Sequence, residues 1–151
     1  MATSAENIAQ QQKIQGEISI KQSEKSAYES ANQSIDEKLK RLKSAKKSVE
    51  EEKENFRTYA FELVEYPKEY DIDYVPGTKW SGEVFNHVED EVWNNLQTIA
   101  FDMCDKIDDR LDDICDAITA LEKEQNNNWA IIASIQNTIN DLQNSWEKYN
   151  N

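Results

Sequence analysis

The stretch from Pro67 to Gly82, PKEYDIDYVPGTKWSG, concentrates the residues that interrupt helices. It holds both prolines of the chain and two of its three glycines. Proline lacks a helical hydrogen-bond donor and glycine favours turns, so we expect the chain to reverse direction here. Long charged segments with apolar residues at seven-residue spacing lie on either side. This pattern predicts two helical arms, residues 1–66 and 83–151, joined by a connection over residues 67–82.

Composition favours a single elongated helical domain with a thin core. Of the 151 residues, only 38% are apolar and 31% are charged, which is too little apolar material for a thick globular core. The two cysteines indicate free thiols rather than a disulfide framework. No segment has the apolar length of a signal-peptide core or a membrane span. We therefore expect a cytoplasmic protein that does not insert into membranes.

The first arm carries a narrow apolar row and a companion row that is only half apolar. The main row is Ile14, Lys21, Tyr28, Ile35, Leu42, Val49, Phe56 and Leu63. The companion row is Ile18, Lys25, Asn32, Leu39, Lys46, Lys53 and Ala60. Rows offset by three and four residues form a coiled-coil seam, so these residues are predicted to face the other arm.

The second arm has two better-defined rows. One is Ile107, Ile114, Leu121, Asn128, Ile135, Leu142 and Tyr149. The other is Cys104, Leu111, Ile118, Gln125, Ile132, Ile139 and Trp146. A shift of phase near Ala100 to Cys104 is predicted to carry the seam into a further set of apolar residues upstream. That set is Phe85, Val88, Val92, Leu96, Ile99 and Met103.

Charge favours antiparallel pairing of the arms. Residues 1–66 have 11 basic and 12 acidic side chains, whereas residues 83–151 have 4 and 15. Folding about position 74 places residues opposite each other when their numbers add to about 148. The basic run 38–47 would then face the acidic run 102–113, and Lys21 and Lys25 would lie beside Gln125 and Asn128. Such a polar layer either fixes the register or marks a bend in both helices.

The predicted fold is therefore an all-α, elongated antiparallel two-helix hairpin that resembles a coiled coil. A partly folded-back bundle, bent near Lys21 and Asn127, is the alternative. Two helices bury little surface, and the second arm has spare apolar residues beside its seam, so a partner that completes a helical bundle is expected. The spare residues are Trp93, Phe101, Trp129 and Ile131.

The sequence lacks the patterns of an enzyme or of a cofactor-binding protein. The single histidine, His87, stands among acidic residues at a predicted helix start, where it is expected to be solvated. The acidic run 102–116 lacks the glycine and the ligand spacing of a calcium loop, and no glycine-rich phosphate loop is present. A net charge of −13 argues against nucleic acid as a partner. We expect no catalytic residue, no metal, no cofactor and no enzymatic activity.

The tripeptide Trp80-Ser81-Gly82 stands directly before the second arm. Trp80 either closes the open end of the hairpin or forms a recognition element at its tip, where Gly82 allows close approach of another backbone. Apolar residues follow four, five and eight places after Trp80, at Val84, Phe85 and Val88. A WxG turn between two long helices resembles the WXG superfamily of helical proteins associated with type VII secretion in Gram-positive bacteria and mycobacteria.

The stretch from about Ile35 to Leu142 is similar in particular to the YwqH-like family, whose members are often encoded beside LXG-type toxins. The likeness includes a lysine-rich first helix with Leu39, Leu42 and Ala45, a proline-containing connection into WxG, and an isoleucine-rich second helix. The resemblance implies a non-enzymatic partner, or chaperone, that binds the helical N-terminal domain of an LXG-type toxin and targets it for secretion.

Among the residues that characterise the family, the resemblance identifies only Trp80 and Gly82 in this chain. The chain is longer than typical WXG proteins. Matches to an aromatic-x-x-x-acidic export signal, at Phe61, Phe85 and Phe101, lie outside the C-terminal tail. Co-export with a cargo is therefore expected rather than export alone. A cytosolic immunity protein that uses the acidic arm, and a structural coiled coil that forms a homodimer, remain alternatives.

The residues expected to contact a helical partner are aromatic or lie at the WxG tip. They are Trp80, Gly82, Phe85, Trp93, Phe101 and Trp129.

Replacing Trp80 with alanine tests the recognition role of the tip. Aromatic anchors in interfaces often contribute about 2 kcal/mol or more on truncation, so Trp80→Ala should weaken binding to the helical toxin domain by roughly thirtyfold. Calorimetric titration measures the affinity, and the melting temperature of the isolated chain is the control. A lower melting temperature with unchanged affinity would make Trp80 a structural plug.

Overall fold

The computed structural model describes residues 3–69 and 83–150, with side chains described for residues 3–62 and 90–150. Two α-helices make up these residues: α1 spans Ser4–Glu69 and α2 spans Glu83–Lys148. The predicted all-α fold is confirmed. Helix α1 continues through Pro67, and both helices run without interruption through the polar positions Lys21 and Asn127, where the alternative fold placed a bend.

The N-terminus of α1 is closed by a reciprocal pair of hydrogen bonds. The backbone N–H of Thr3 donates to Glu6 Oε2 at 2.6 Å, and the backbone N–H of Glu6 donates to Thr3 Oγ1 at 3.3 Å. This capping box satisfies two of the donors that a helix start leaves open. The bond from the Thr3 backbone lowers the pKa of Glu6, so the cap is intact at neutral pH and is lost as the carboxylate is protonated in acid.

The helices are antiparallel, because residue numbers in α2 fall as those in α1 rise. The chain divides into two compact units, one of Met1–Arg41 with Ala117–Asn151 and one of Leu42–Asp116. In the first unit, Lys25 Nζ donates to Gln136 Oε1 at 2.8 Å, and Asn128 Nδ2 donates to Asn32 Oδ1 at 2.9 Å. In the second unit, Lys53 pairs with Asp108, and the Phe61 and Phe101 rings meet.

The predicted seam rows are confirmed by burial. All seven residues of the companion row of α1 and the main row from Ile14 to Phe56 are buried or half-buried. In α2, both predicted rows are likewise inward from Cys104 to Trp146, and only Tyr149 is exposed. Leu63 lies outside the described side chains. In the first unit, Ile14, Ile18, Ile135 and Ile139 form an apolar cluster that Tyr28, Leu142 and Trp146 extend.

The predicted register is wrong. The pairs Lys25 with Gln136 and Asn32 with Asn128 have numbers that add to 161 and 160. In the second unit, Lys53 with Asp108 gives 161. The earlier value of 148 assumed that the chain folds at the middle of its connection. The fit of side chains along the seam sets the register instead, and the difference of 13 residues is close to two heptads, so the same rows still face inward.

The charge pairing deduced from that register is wrong as well. When the numbers of facing residues in α1 and α2 add to 161, the acidic run 102–113 lies level with residues 48–59 of the same unit. It does not lie level with the basic run 38–47. Residues 48–59 contain four glutamates beside Lys53 and Arg57. Lys46, from the basic run, pairs instead with Glu50 of its own helix at 3.8 Å. The basic run therefore does not lie level with the acidic run, as a sum of 148 had required.

The predicted phase shift near Ala100 does not occur. The seam of the second unit continues in unbroken heptads through half-buried Trp93 and Gln97, buried Ala100 and buried Cys104. Val92, Leu96, Ile99 and Met103, which were assigned to the seam, are exposed. Phe85 and Val88 lie outside the described side chains. Ala60, with 0% exposure, lies one residue from the level of Ala100, so two small side chains fill this part of the seam.

A buried polar layer interrupts the apolar seam of the first unit. Asn32 is only 1% exposed, and its side-chain oxygen accepts a hydrogen bond from the side-chain amide of Asn128. Its own amide donates to the backbone carbonyl of Gln125 at 3.5 Å. The Gln125 side chain donates to Asp36. An amide buried without partners is costly, so this layer favours the alignment in which both asparagines meet. Lys21 and Lys25, predicted to lie in this layer, are at other levels.

Asn128→Ala should destabilise the chain by about 1–3 kcal/mol, because it leaves the side-chain oxygen of Asn32 buried without its hydrogen-bond donor. Asn127→Ala is the matched control, since Asn127 is the same residue type, adjacent and exposed, and should change stability by less than about 0.5 kcal/mol. Urea unfolding followed by circular dichroism measures both. Equal effects would show that the layer does not set the stability of the first unit.

Candidate partner-binding surface

An exposed row of apolar side chains runs along α2 in the second unit. It consists of Val92, Leu96, Ile99 and Met103, which are between 41% and 56% exposed. Their spacing of four, three and four residues places them on one face of the helix. This apolar row, as we call it, lies about a quarter turn from the seam residues Ala100 and Cys104. It therefore borders the interface with α1 without being covered by it.

A shallow groove continues the apolar row toward α1. Met103 and Ile107 of α2 line this groove together with Val49 of α1. Lys106 and Arg110 follow Met103 at the same spacing and also line the groove. Since Arg110 Nη1 donates to Asp113 Oδ2 of its own helix at 3.2 Å, charged groups end the apolar surface here. The row from Val92 to Met103 is about 16 Å long at 1.5 Å per residue.

The edge of the apolar row that faces away from α1 is acidic. Helical geometry places Glu91 and Asp102 along this edge, with Asn95 between them. All three side chains are exposed. Asp90 and Glu91 also line a small polar depression with Asn94 and Asn95 at the start of the row. Between Asp90 and Asp105, α2 has four acidic side chains and no basic one.

The opposite edge of the seam is closed by contacts between the helices. Phe61 and Phe101 pack edge to face, with ring centroids 6.0 Å apart and an interplanar angle of 81°. The Arg57 guanidinium lies 5.6 Å from the Phe61 centroid, a cation–π arrangement.

Nearby, the hydrogen bond from Lys53 to Asp108 raises the pKa of Lys53. The stabilisation from the lysine charge is therefore present at neutral pH and is lost as strongly alkaline pH removes that charge.

The predicted partner-binding residues are distributed over the chain. Trp80 and Gly82 lie outside the described residues, and Phe85 lies outside the described side chains. Phe101 packs on Phe61 within the second unit, and Trp93 is half-buried along its seam. Trp129 belongs to the first unit and is 50% exposed. Trp93 and Phe101 thus belong to the second unit, and Trp129 belongs to the first.

The apolar row was missed as a surface because its hydrophobicity was attributed to the seam. The sequence between Val92 and Met103 contains two competing rows, one strongly apolar and one made of Trp93, Gln97 and Ala100. The second row stays in heptad phase with Cys104 and Leu111, and a continuous helix must keep that phase. A strongly apolar row out of phase with an established seam was the available signal for an exposed surface.

The described residues contain no group of three or more histidine, cysteine or acidic side chains placed to hold a metal ion. Within the same part of the chain, neither helix is long and apolar enough to cross a membrane. His87, which the sequence predicts to be solvated, lies outside the described side chains. The described residues also carry the apolar row, its acidic edge and the thiols of Cys104 and Cys115.

Comparison with protein families places the chain in a known family. A family model described as YwqH-like matches residues 16–144, which is most of the chain and includes long parts of both helices. No curated protein and no solved structure matches this chain.

Adjacent substitutions in α2 test the orientation of the apolar row. Ala100→Asp buries an unpaired carboxylate in the seam and should cost several kcal/mol, about 3 or more. Ile99→Asp changes a 56% exposed side chain and should change the free energy of unfolding by less than about 1 kcal/mol. Urea denaturation provides both values. A larger loss for Ile99→Asp than for Ala100→Asp would place the seam on the wrong face.

Proposed function

The chain belongs to the YwqH-like family, and from this membership we propose that it is a non-enzymatic helical partner of a type VII secretion system. It binds the helical N-terminal domain of an LXG-type toxin, keeps that domain in a helical complex and helps to target it for secretion. The complex forms in the cytoplasm, and this chain is exported together with the toxin that it binds. WxG at residues 80–82 links the chain to the wider WXG superfamily.

The observation that carries this proposal is the apolar row of Val92, Leu96, Ile99 and Met103. A two-helix hairpin leaves part of each helix uncovered, and a third helix is the element that covers a heptad-spaced apolar row most effectively. The row's spacing of four, three and four residues is that of a helix-packing surface. Its position beside the seam lets a partner helix contact α2 while also approaching Val49 in the groove.

Exposed apolar side chains of this size weigh against a chain that functions alone. Four of them aligned on one helix form a continuous patch, whereas scattered exposed residues such as Ile8 and Ile20 need no partner. Burial of apolar area contributes about 25 cal/mol for each Å² removed from water. Covering the apolar row therefore supplies a driving force for complex formation without any change in the fold of the hairpin.

A cytosolic immunity protein is the second candidate, and the register of the second unit favours it. Because the acidic run 102–113 lies level with residues 48–59, which are themselves rich in glutamate, much of its charge is available to a basic partner. An immunity protein would bind the catalytic domain of the toxin through this acidic run. A secretion partner binds the helical N-terminal domain through the apolar row. The two candidates therefore differ in the toxin domain that is bound.

A pair of double variants tests the proposal. Ile99→Asp/Met103→Asp should weaken binding to the helical N-terminal domain of the toxin encoded beside this chain by about thirtyfold or more, equivalent to about 2 kcal/mol. Ile8→Asp/Ile20→Asp is the matched control, because it changes two exposed apolar residues and adds the same charge. Calorimetric titration measures the affinities, and native mass spectrometry measures the stoichiometry.

Three outcomes would contradict the proposal. Equal losses for the two double variants would remove the apolar row from the interface. Binding to the isolated catalytic domain, with inhibition of its activity, would support the immunity protein. No binding to either toxin domain at micromolar concentration, together with a stable homodimer, would leave a structural coiled coil as the better account.

A further inference from the structure

The apolar row and its acidic edge together restrict the partner to one kind of helix. We infer that the row binds an amphipathic helix of another protein whose apolar stripe is bordered by lysine or arginine residues. This inference rests on the proposed function in taking the occupant to be a helix of a second protein. It adds the charge that the helix must carry and the face on which that charge must lie.

Charge complementarity at the edge carries the inference. Glu91 and Asp102 lie eleven residues apart along the outer border of the row, and both are exposed. A helix packed on the row would bring its own flanking residues over these carboxylates, as the flanking positions of a coiled coil do. Basic residues there gain favourable ion pairs, whereas acidic residues are repelled. Opposite charges at such positions set partner choice more than they set total affinity.

The remainder of the region strengthens the same preference. From Asp90 to Asp105, α2 has four acidic side chains and no basic one, and the next cation, Lys106, follows Asp102 by one helical turn. The basic groups Lys106 and Arg110 begin only beyond Met103, and Arg110 is already hydrogen-bonded to Asp113. The negative charge of the edge therefore lies at Glu91 and Asp102, and Lys106 borders its C-terminal end.

A second copy of this chain fits the surface poorly. In an antiparallel two-fold pair, the row of one copy packs on the row of the other, so the acidic edge of one copy would meet the acidic edge of the other. The net charge of −13 adds a general repulsion between copies. A basic helix from another protein avoids both penalties. The patch is about 16 Å long, which is three helical turns of such a partner.

Two synthetic peptides test the inference with the full chain. Each is about 20 residues long, because shorter isolated helices are marginally stable in water. Both carry leucines at the spacing of the apolar row. One has lysines beside that stripe, and the other has glutamates at the same positions. Fluorescence anisotropy at low salt should give an affinity about tenfold or more higher for the lysine peptide, with the difference shrinking near 1 M salt, where the Debye length is about 3 Å.

Charge reversal on the protein provides the matched comparison. Glu91→Lys/Asp102→Lys should reverse the preference, so that the glutamate peptide binds more tightly. Asp112→Lys/Asp116→Lys changes the net charge equally at exposed positions of the same helix that lie beyond the row, and should preserve the preference for the lysine peptide. Circular dichroism confirms that each variant stays helical. Ile99→Asp should weaken binding of both peptides.

The outcomes distinguish this inference from the proposed function. Equal affinity for the two peptides, no binding of the lysine peptide, or a dimer of the chain that Ile99→Asp dissociates would each overturn the inference. If the toxin domain then still binds through Ile99 and Met103, the proposed function stands and the charge requirement is wrong. A clear peptide preference without binding to the toxin domain would retain the basic helix and overturn the secretion partner.

Discussion

The buried pairing of Asn32 with Asn128 is the constraint on which the alignment of the first unit depends. A long heptad seam made only of similar aliphatic residues can slide by one or two heptads with little change in apolar burial. A polar pair removes that freedom, because any other alignment leaves amide groups buried without partners. The Gln125 carbonyl and Asp36 extend the network. Alignment then determines which charges of the two helices lie level with each other.

The inward faces of the helices could be predicted from sequence, whereas their register could not. Heptad rows such as Ile14 with Ile18 and Ile135 with Ile139 are periodic in one chain and need no knowledge of the other. Register depends on which residues meet across the seam, and neither the centre of the connection nor the sum of charges encodes that. Charge alone favoured an alignment of the basic run 38–47 with the acidic run 102–113. Exposed ion pairs are too weak, however, to determine how a buried seam aligns.

The candidate surface was accessible to sequence reasoning only in part. Excess apolar residues on the second arm indicated exposed apolar surface, but the exposed members along the second unit are Val92, Leu96, Ile99 and Met103 rather than Phe101, which packs on Phe61. Large aromatic residues were favoured because they dominate interfaces. The same residues also dominate packing within a thin hairpin, so size alone does not separate the two roles. Continuity of helical phase from Cys104 separates them.

The thiol of Cys104 can report how often the second unit opens locally. Its side chain is only 8% exposed and lies on the seam, so a thiol reagent reaches it when α1 and α2 separate locally. Proteins open in separate cooperative segments with different free energies, and no cysteine lies within the first unit. The modification rate of Cys104 therefore reports the breathing of the second unit alone. A helix seated on the adjacent apolar row would slow that breathing by favouring the closed form, which makes binding visible as protection of a thiol.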